Sequence, residues 1–243
     1  MTVFVGADET ETARAAADVV EGVLRESPSA VLGLATGASV DGVYRELIAE
    51  CGGDGTGLSF AGASAFLLDE YVGLDASHPQ AYRNVIRAEL IDRVDLADGA
   101  VRGPDAWAPD LDAAAAEYDE AVRVAGVDVQ LLGIGRNGHI AFNEPGAAFD
   151  SRTRVVDLSE TTRRDNARFF GSPDDVPRRA ITQGIGTILA ARRVVLVAHG
   201  KEKADAIAAA IDGPTTCDVP ASALQLHTRV TWVLDPAAAS RLA

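Results

Sequence analysis

Short apolar runs alternate with stretches of helical periodicity along nearly the whole chain, and this alternation limits the fold more than any other feature. Residues 1–6 read as a strand, and residues 9–24 place Ala13, Ala16, Val19, Val20 and Val23 at helical spacing. Residues 30–35 form a second buried strand pattern, followed by a tight turn at Thr36, Gly37, Ala38 and Ser39, with Ser39 able to cap a helix through Tyr44 and Leu47. Residues 60–68 give a third strand ending at Asp69 and Glu70, then helices over 78–90 and 111–124 precede a strand at 127–132. The second half continues with a strand at 153–158, a helix at 159–170, a loop at 171–179, a strand at 193–198 and a helix at 201–211. A helical turn at 221–226 and a strand at 230–234 follow. Such a succession predicts an α/β chain, a doubly wound, largely parallel sheet with helices on both faces, formed by residues 1–243 as a single domain.

Composition supports one full core. The 243 residues are 47% hydrophobic and 24% charged, the balance of a globular protein. A formal net charge of −14 argues against nucleic acid, which requires clustered basic side chains for counterion release. A phosphorylated ligand would need local positive charge, and screening over about 8–10 Å keeps distant acids from deciding its fate. Cys51 and Cys217 lack metal-site spacing, so reduced thiols and no metal are expected. With neither a leader pattern nor an apolar run long enough for a bilayer, the expected location is cytoplasmic, with no membrane partner.

The chemistry concentrates in Gly133-Ile-Gly-Arg-Asn-Gly-His139-Ile-Ala-Phe-Asn-Glu144-Pro145. Residues leaving the carboxyl end of a buried strand face the ligand crevice of an open α/β sheet, and this run sets a histidine and a carboxylate there among glycines. The imidazole can exchange protons near neutral pH. Asp69 sits at the end of another strand, where it is either a crevice carboxylate or a turn cap. The turn at Thr36–Ser39 offers backbone N–H groups and hydroxyls at a helix start, a setting that favours an anion.

Four separated blocks resemble the glucosamine-6-phosphate deaminases, also called isomerases: the run above, Leu68-Asp69-Glu70-Tyr71-Val72-Gly73-Leu74, Asn166-Ala-Arg168-Phe-Phe170 and Leu32-Gly-Leu-Ala-Thr36-Gly37. The resemblance implies a Rossmann-like fold and conversion of D-glucosamine 6-phosphate and water into D-fructose 6-phosphate and ammonia, without a redox cofactor. It implies that Asp69 moves the proton at C2 and that His139 opens the sugar ring, assisted by Asn137 and Glu144. Asn137 stands where other members carry Asp, so it can orient His139 without sharing charge. Thr36, Gly37, Ala38, Ser39, Arg168 and Lys203 match the phosphate-binding positions, although Ala38 cannot donate from a side chain. Arg168 lies in a segment resembling the family's mobile lid. Relatives with an allosteric site carry serines at Ala147 and Ala148 and lysine at Val156, so activation of that type is expected to be weak or absent. The resemblance leaves self-association into a homo-oligomer open.

Two other readings stand beside this one. A 6-phosphogluconolactonase would share the fold and phosphate logic, but Glu144 and Asp69-Glu70-Tyr71 favour deamination. A catalytically silent sugar-phosphate sensor would use the same pocket, since a fold does not establish activity.

Overall fold

The computed structural model describes residues 1–51 and 57–243. In chain order the elements are β1 (Thr2–Val5), α1 (Glu9–Glu26), β2 (Val31–Leu34), α2 (Ala38–Glu50), β3 (Ser64–Leu67), β4 (Asp69–Val72), α3 (Tyr82–Glu89), β5 (Val101–Arg102), α4 (Leu111–Ala125) and β6 (Val129–Leu132). They continue with β7 (Arg154–Asp157), α5 (Glu160–Asn166), β8 (Arg179–Thr182), α6 (Ile185–Ile188), β9 (Val194–Ala198), α7 (Ala204–Ile211) and β10 (Val230–Leu234). Short 3₁₀ turns at Ala167–Phe169 and Lys201–Lys203 carry Arg168 and Lys203.

Seven strands form a parallel sheet in the order β1-β10-β9-β6-β2-β3-β5. From β2 the chain winds outward through β3 to β5, then returns to β6 on the other side of β2 and winds outward through β9 and β10. The winding reverses between β2 and β6, so their carboxyl ends splay apart into a crevice. Strands β6 and β9 are buried at every position; β9 is an unbroken apolar run and β6 is apolar apart from the buried Gln130. The expected parallel sheet is therefore present, and its switch point lies between the Thr36–Ser39 turn and the Gly133–Pro145 run.

A second sheet, three-stranded and antiparallel in the order β4-β8-β7, departs from the sequence reading. The run at 60–68 does not continue as one strand: β3 ends at Leu67, and Asp69 opens β4, which pairs with β8 instead. The strand expected at 153–158 exists as β7 but joins this smaller sheet, and Arg179–Thr182 beyond the expected loop is its middle strand. Gln183 fastens the two sheets, its backbone N–H donating to Leu68 O at 2.7 Å and its amide to Leu67 O at 2.9 Å. Asp119 of α4 ties in the far side, accepting from the Arg152 guanidinium at 2.9 Å, the Thr153 N–H at 3.0 Å and the Thr187 hydroxyl at 2.5 Å. The smaller sheet thus stands over the carboxyl edge of β3 and carries Asp69 and Tyr71 toward the crevice.

Three helix starts follow local side-chain chemistry. Asp8, Asp110 and Ser159 each accept an N–H of the first helical turn, as short polar caps do. Ser39 is not the cap of α2; the cap is Gly37, whose φ of 115° is closed to ordinary side chains, and Ser39 lies inside the first turn. Helix α3 begins at Tyr82 rather than near 78, and its start is capped from a distance. The Glu70 carboxylate on β4 accepts from the Tyr82 N–H at 2.9 Å and the Arg83 N–H at 3.0 Å. Among the described residues no helix is long and apolar enough to cross a membrane.

Candidate active site

A cavity of about 690 Å³ opens where β2 and β6 diverge, lined from both sheets and from the segments around α2, α3, α5 and the Lys201–Lys203 turn. Thr36, Gly37, Ala38, Ser39, Asp69, His139, Arg168 and Lys203 all line it. The structure therefore gathers residues separated by more than half the chain. Asn137 and Glu144 stand behind His139 and reach the cavity through it.

His139 is held by the shape of its loop. A Cβ placed on Gly135 would lie 2.5 Å from the ring Nε2, with Cε1 and Nδ1 closer still, so the imidazole packs directly on the Gly135 backbone. Its Nδ1 stands 3.8 Å from Glu144 Oε2 and has no hydrogen-bond partner. Asn137 couples the two, accepting from the His139 N–H at 3.2 Å and donating its amide to Glu144 Oε2 at 2.7 Å. The other carboxylate oxygen of Glu144 accepts from the hydroxyls of Ser159, at 2.9 Å, and Thr162. Burial pushes the His139 imidazole below its ordinary value, against the pull of the nearby Glu144 charge, so the ring is neutral near pH 7. For Glu144 burial acts upward, but the Thr162 hydroxyl, the His139 charge, the Asn137 amide and the Ser159 hydroxyl together hold it below the usual carboxylate range. This is a neutral acceptor backed by a firmly ionised carboxylate, an arrangement that can take up a proton and stabilise the resulting imidazolium.

Beyond His139 the loop closes in a tight turn, with a bridge between Ile140 and Asn143 and Ala141 at a φ of 49°. A left-handed alanine costs roughly 1–2 kcal/mol. Asn143 holds it there, its amide donating to Gln183 O at 2.8 Å and Ile140 O at 3.1 Å. The strained residue itself lines the cavity.

Asp69 is 6% exposed, and burial, followed by the neighbouring Glu70 charge, raises its carboxyl well above the ordinary range. It is the cavity carboxylate of the two alternatives: the capping role at this position belongs to Glu70. Tyr71 builds the wall beside it, its hydroxyl linked to Tyr82 at 3.1 Å and to the Asn166 amide at 2.9 Å.

At the α2 end, the N–H groups of Ala38 and Ser39 occupy the first helical turn and lack partners within the helix. A Cβ on Gly133 would touch the Ser39 Cβ at 3.9 Å, so this turn and the His139 loop are neighbours. Lys203 is half-buried and burial lowers its ammonium, while Arg168 is exposed and lies over the Phe169 ring at 4.7 Å. These two cations and the helix start line one end of the cavity, an arrangement that can accept an anion.

Several lining residues were not singled out from sequence. Tyr82 and His199 reach the cavity from α3 and from the end of β9, and the His199 Nε2 is 3.1 Å from Ala38 O, bracing the anion-site turn. Ser159 and Thr162 serve Glu144 as well as their own helix; the Ser-x-x-Thr spacing at a helix start was the available signal for the cap but not for the carboxylate. Asp41 and Glu89 also line the wall, each with one buried oxygen lacking a partner.

A family model described as glucosamine-6-phosphate isomerases/6-phosphogluconolactonase matches residues 7–232. The glucosamine-6-phosphate deaminase of Rhodococcus opacus (strain B4) is 54% identical over 243 residues, covering 100% of this chain and 93% of that one. A solved monomeric glucosamine-6-phosphate deaminase superposes with a TM-score of 0.96 at 42% identity, covering 99% of this chain and 100% of that one. The 6-phosphogluconolactonase of Trypanosoma cruzi superposes at 0.80 with 20% identity, over 100% and 97% of the two chains, a likeness of fold alone.

Proposed function

The chain belongs to the family of glucosamine-6-phosphate isomerases and 6-phosphogluconolactonases, and from that premise we propose that it is the deaminase, converting D-glucosamine 6-phosphate and water into D-fructose 6-phosphate and ammonia. One observation carries the choice: a single cavity joins the His139–Glu144–Asn137 cluster, the buried carboxyl of Asp69 and a cationic anion site. That combination meets three needs of an amino-sugar phosphate, namely ring opening, proton transfer at carbon and phosphate binding.

The phosphate lies against the Ala38 and Ser39 N–H groups, the Thr36 and Ser39 hydroxyls, Arg168 and Lys203. Neutral His139 accepts a proton from the ring hydroxyl and returns it to the ring oxygen, while ionised Glu144 supports the imidazolium between the two transfers. Asp69 then takes the proton from C2 and delivers it to C1 while one proton of the substrate ammonium passes to O1, so that C1 becomes a hydroxymethyl group and C2 carries the imine. A buried carboxylate is a stronger base than one in water, and the substrate's ammonium supplies the counter-charge that its surroundings lack. Water adds to the resulting ketose imine at C2, and ammonia leaves. Asn137 keeps the His139 loop and Glu144 in register without adding charge. Residues 1–243 act in this reading as one catalytic domain, in the cytoplasm, as a monomer like the solved deaminase.

The test is to offer glucosamine 6-phosphate and 6-phosphogluconolactone in parallel and to measure ammonia and acid release. Ammonia from the first with no accelerated hydrolysis of the second supports deamination. Lactone hydrolysis alone points to the lactonase, and binding of the amino sugar without turnover points to a sensor.

A further inference from the structure

Arg136 follows β6 and Asp165 lies on α5, and the two meet across the cavity mouth in a two-pronged ion pair. The Arg136 Nε donates to Asp165 Oδ2 at 3.1 Å, and its Nη2 pairs with Oδ1. Their side chains are 51% and 33% exposed, so the pair contributes little to stability, as solvent-exposed ion pairs do. Its location is more informative than its strength. Both side chains line the cavity, and Asp165 is close enough to Lys203 and His139 for its charge to act on each. Asp165 is thus a carboxylate lining the same cavity as the lysine assigned to phosphate, and it stands three residues before Arg168 in sequence.

We propose that Arg136 is a positioning residue that occupies Asp165 and so prevents this carboxylate from competing with the substrate phosphate for Lys203 and Arg168. The proposal rests on the reading that the phosphate binds there. An unpaired Asp165 would attract the same ammonium that the ligand needs and would repel the phosphate dianion. The bidentate geometry fixes both carboxylate oxygens toward the guanidinium, which a lysine at position 136 could not do.

The test uses Arg136→Met, Asp165→Asn and the double variant, each titrated with inorganic phosphate and assayed with glucosamine 6-phosphate. Arg136→Met is expected to weaken phosphate and raise KM about ten-fold, with the loss in KM rather than kcat. Asp165→Asn should bind phosphate as well as the parent or tighter, since it leaves Arg136 as an added cation. The double variant should recover parental affinity. If the double variant stays as weak as Arg136→Met, Arg136 touches phosphate or merely latches α5, and the proposal is overturned; weakened binding in Asp165→Asn has the same consequence. Thermal unfolding of all three variants separates these results from misfolding. A parent protein that neither binds phosphate nor turns over the sugar would instead overturn the underlying site assignment, and the proposal with it.

Discussion

Replacing Gly135 by alanine should damage catalysis through one methyl group. The added Cβ would stand 2.5 Å from His139 Nε2, with two other ring atoms nearer. Non-bonded heavy atoms settle at about 3.5–4.0 Å, so the ring must retreat by roughly 1 Å or more. That retreat breaks the approach of Nδ1 to Glu144, now 3.8 Å, and removes the imidazole from the position proposed for proton exchange with the sugar. Misplacement on this scale costs about 10²-fold in rate, equivalent to roughly 2.7 kcal/mol of barrier. The stability cost should be smaller, about 1–3 kcal/mol of overpacking. The phosphate contacts lie elsewhere, so kcat should fall far more than affinity. Steady-state kinetics, inorganic-phosphate titration and denaturant unfolding measure the three quantities. Gly22→Ala in α1 is the control: a Cβ there meets nothing within 4 Å, so kcat should stay parental. A parental kcat in Gly135→Ala would refute the claim that His139 acts from this seat.

Glu89→Gln should stabilise the protein once the pH rises above about 4.5, with the full gain above about 7. Burial, then the Asp41 charge, raises Glu89 from 4.5 to about 7, so the unfolded chain loses this proton first and the destabilisation grows between those values and is complete above about 7. At about 1.36 kcal/mol per pH unit, discounted for a half-exposed side chain, the gain is about 1–2 kcal/mol at pH 8 and near zero at pH 4; melting curves giving equal gains at both values would contradict the assignment. Arg168→Ala and Lys203→Ala should each weaken glucosamine 6-phosphate more than the unphosphorylated sugar. Titration with both sugars checks this, and equal losses would indicate general structural damage.

The parts readable from sequence are those whose physics is local. Strands β2, β6 and β9 are buried nearly throughout and announce themselves as apolar runs, and the loops after β2 and β6 carry their glycines, histidine and hydroxyls in one stretch each. The smaller sheet escaped as a sheet because only β7 was legible as a strand, whereas β4 runs on from β3 and β8 lies at the end of the expected loop, and these two are defined by their pairing with each other. Glu70 capping α3 is a contact between residues 12 and 13 apart, invisible to rules that look three residues ahead. The same holds for Ser159 and Thr162 on Glu144, and for Arg136 on Asp165, which lies 29 residues away. The site residues named from sequence converge on one cavity, but their supporting partners come from loops and helices that only the tertiary fold brings near.

The central claim is that this cavity deaminates glucosamine 6-phosphate with Asp69 moving the carbon-bound proton. The most direct measurement follows ammonia and fructose 6-phosphate formed by the parent protein and by Asp69→Asn, with substrate affinity determined for both. Asparagine keeps the shape of the buried side chain and removes its basicity. The account predicts equal amounts of ammonia and ketose phosphate from the parent, and retained binding with almost no product from the variant. No ammonia from the parent, or parental turnover by Asp69→Asn, would contradict it.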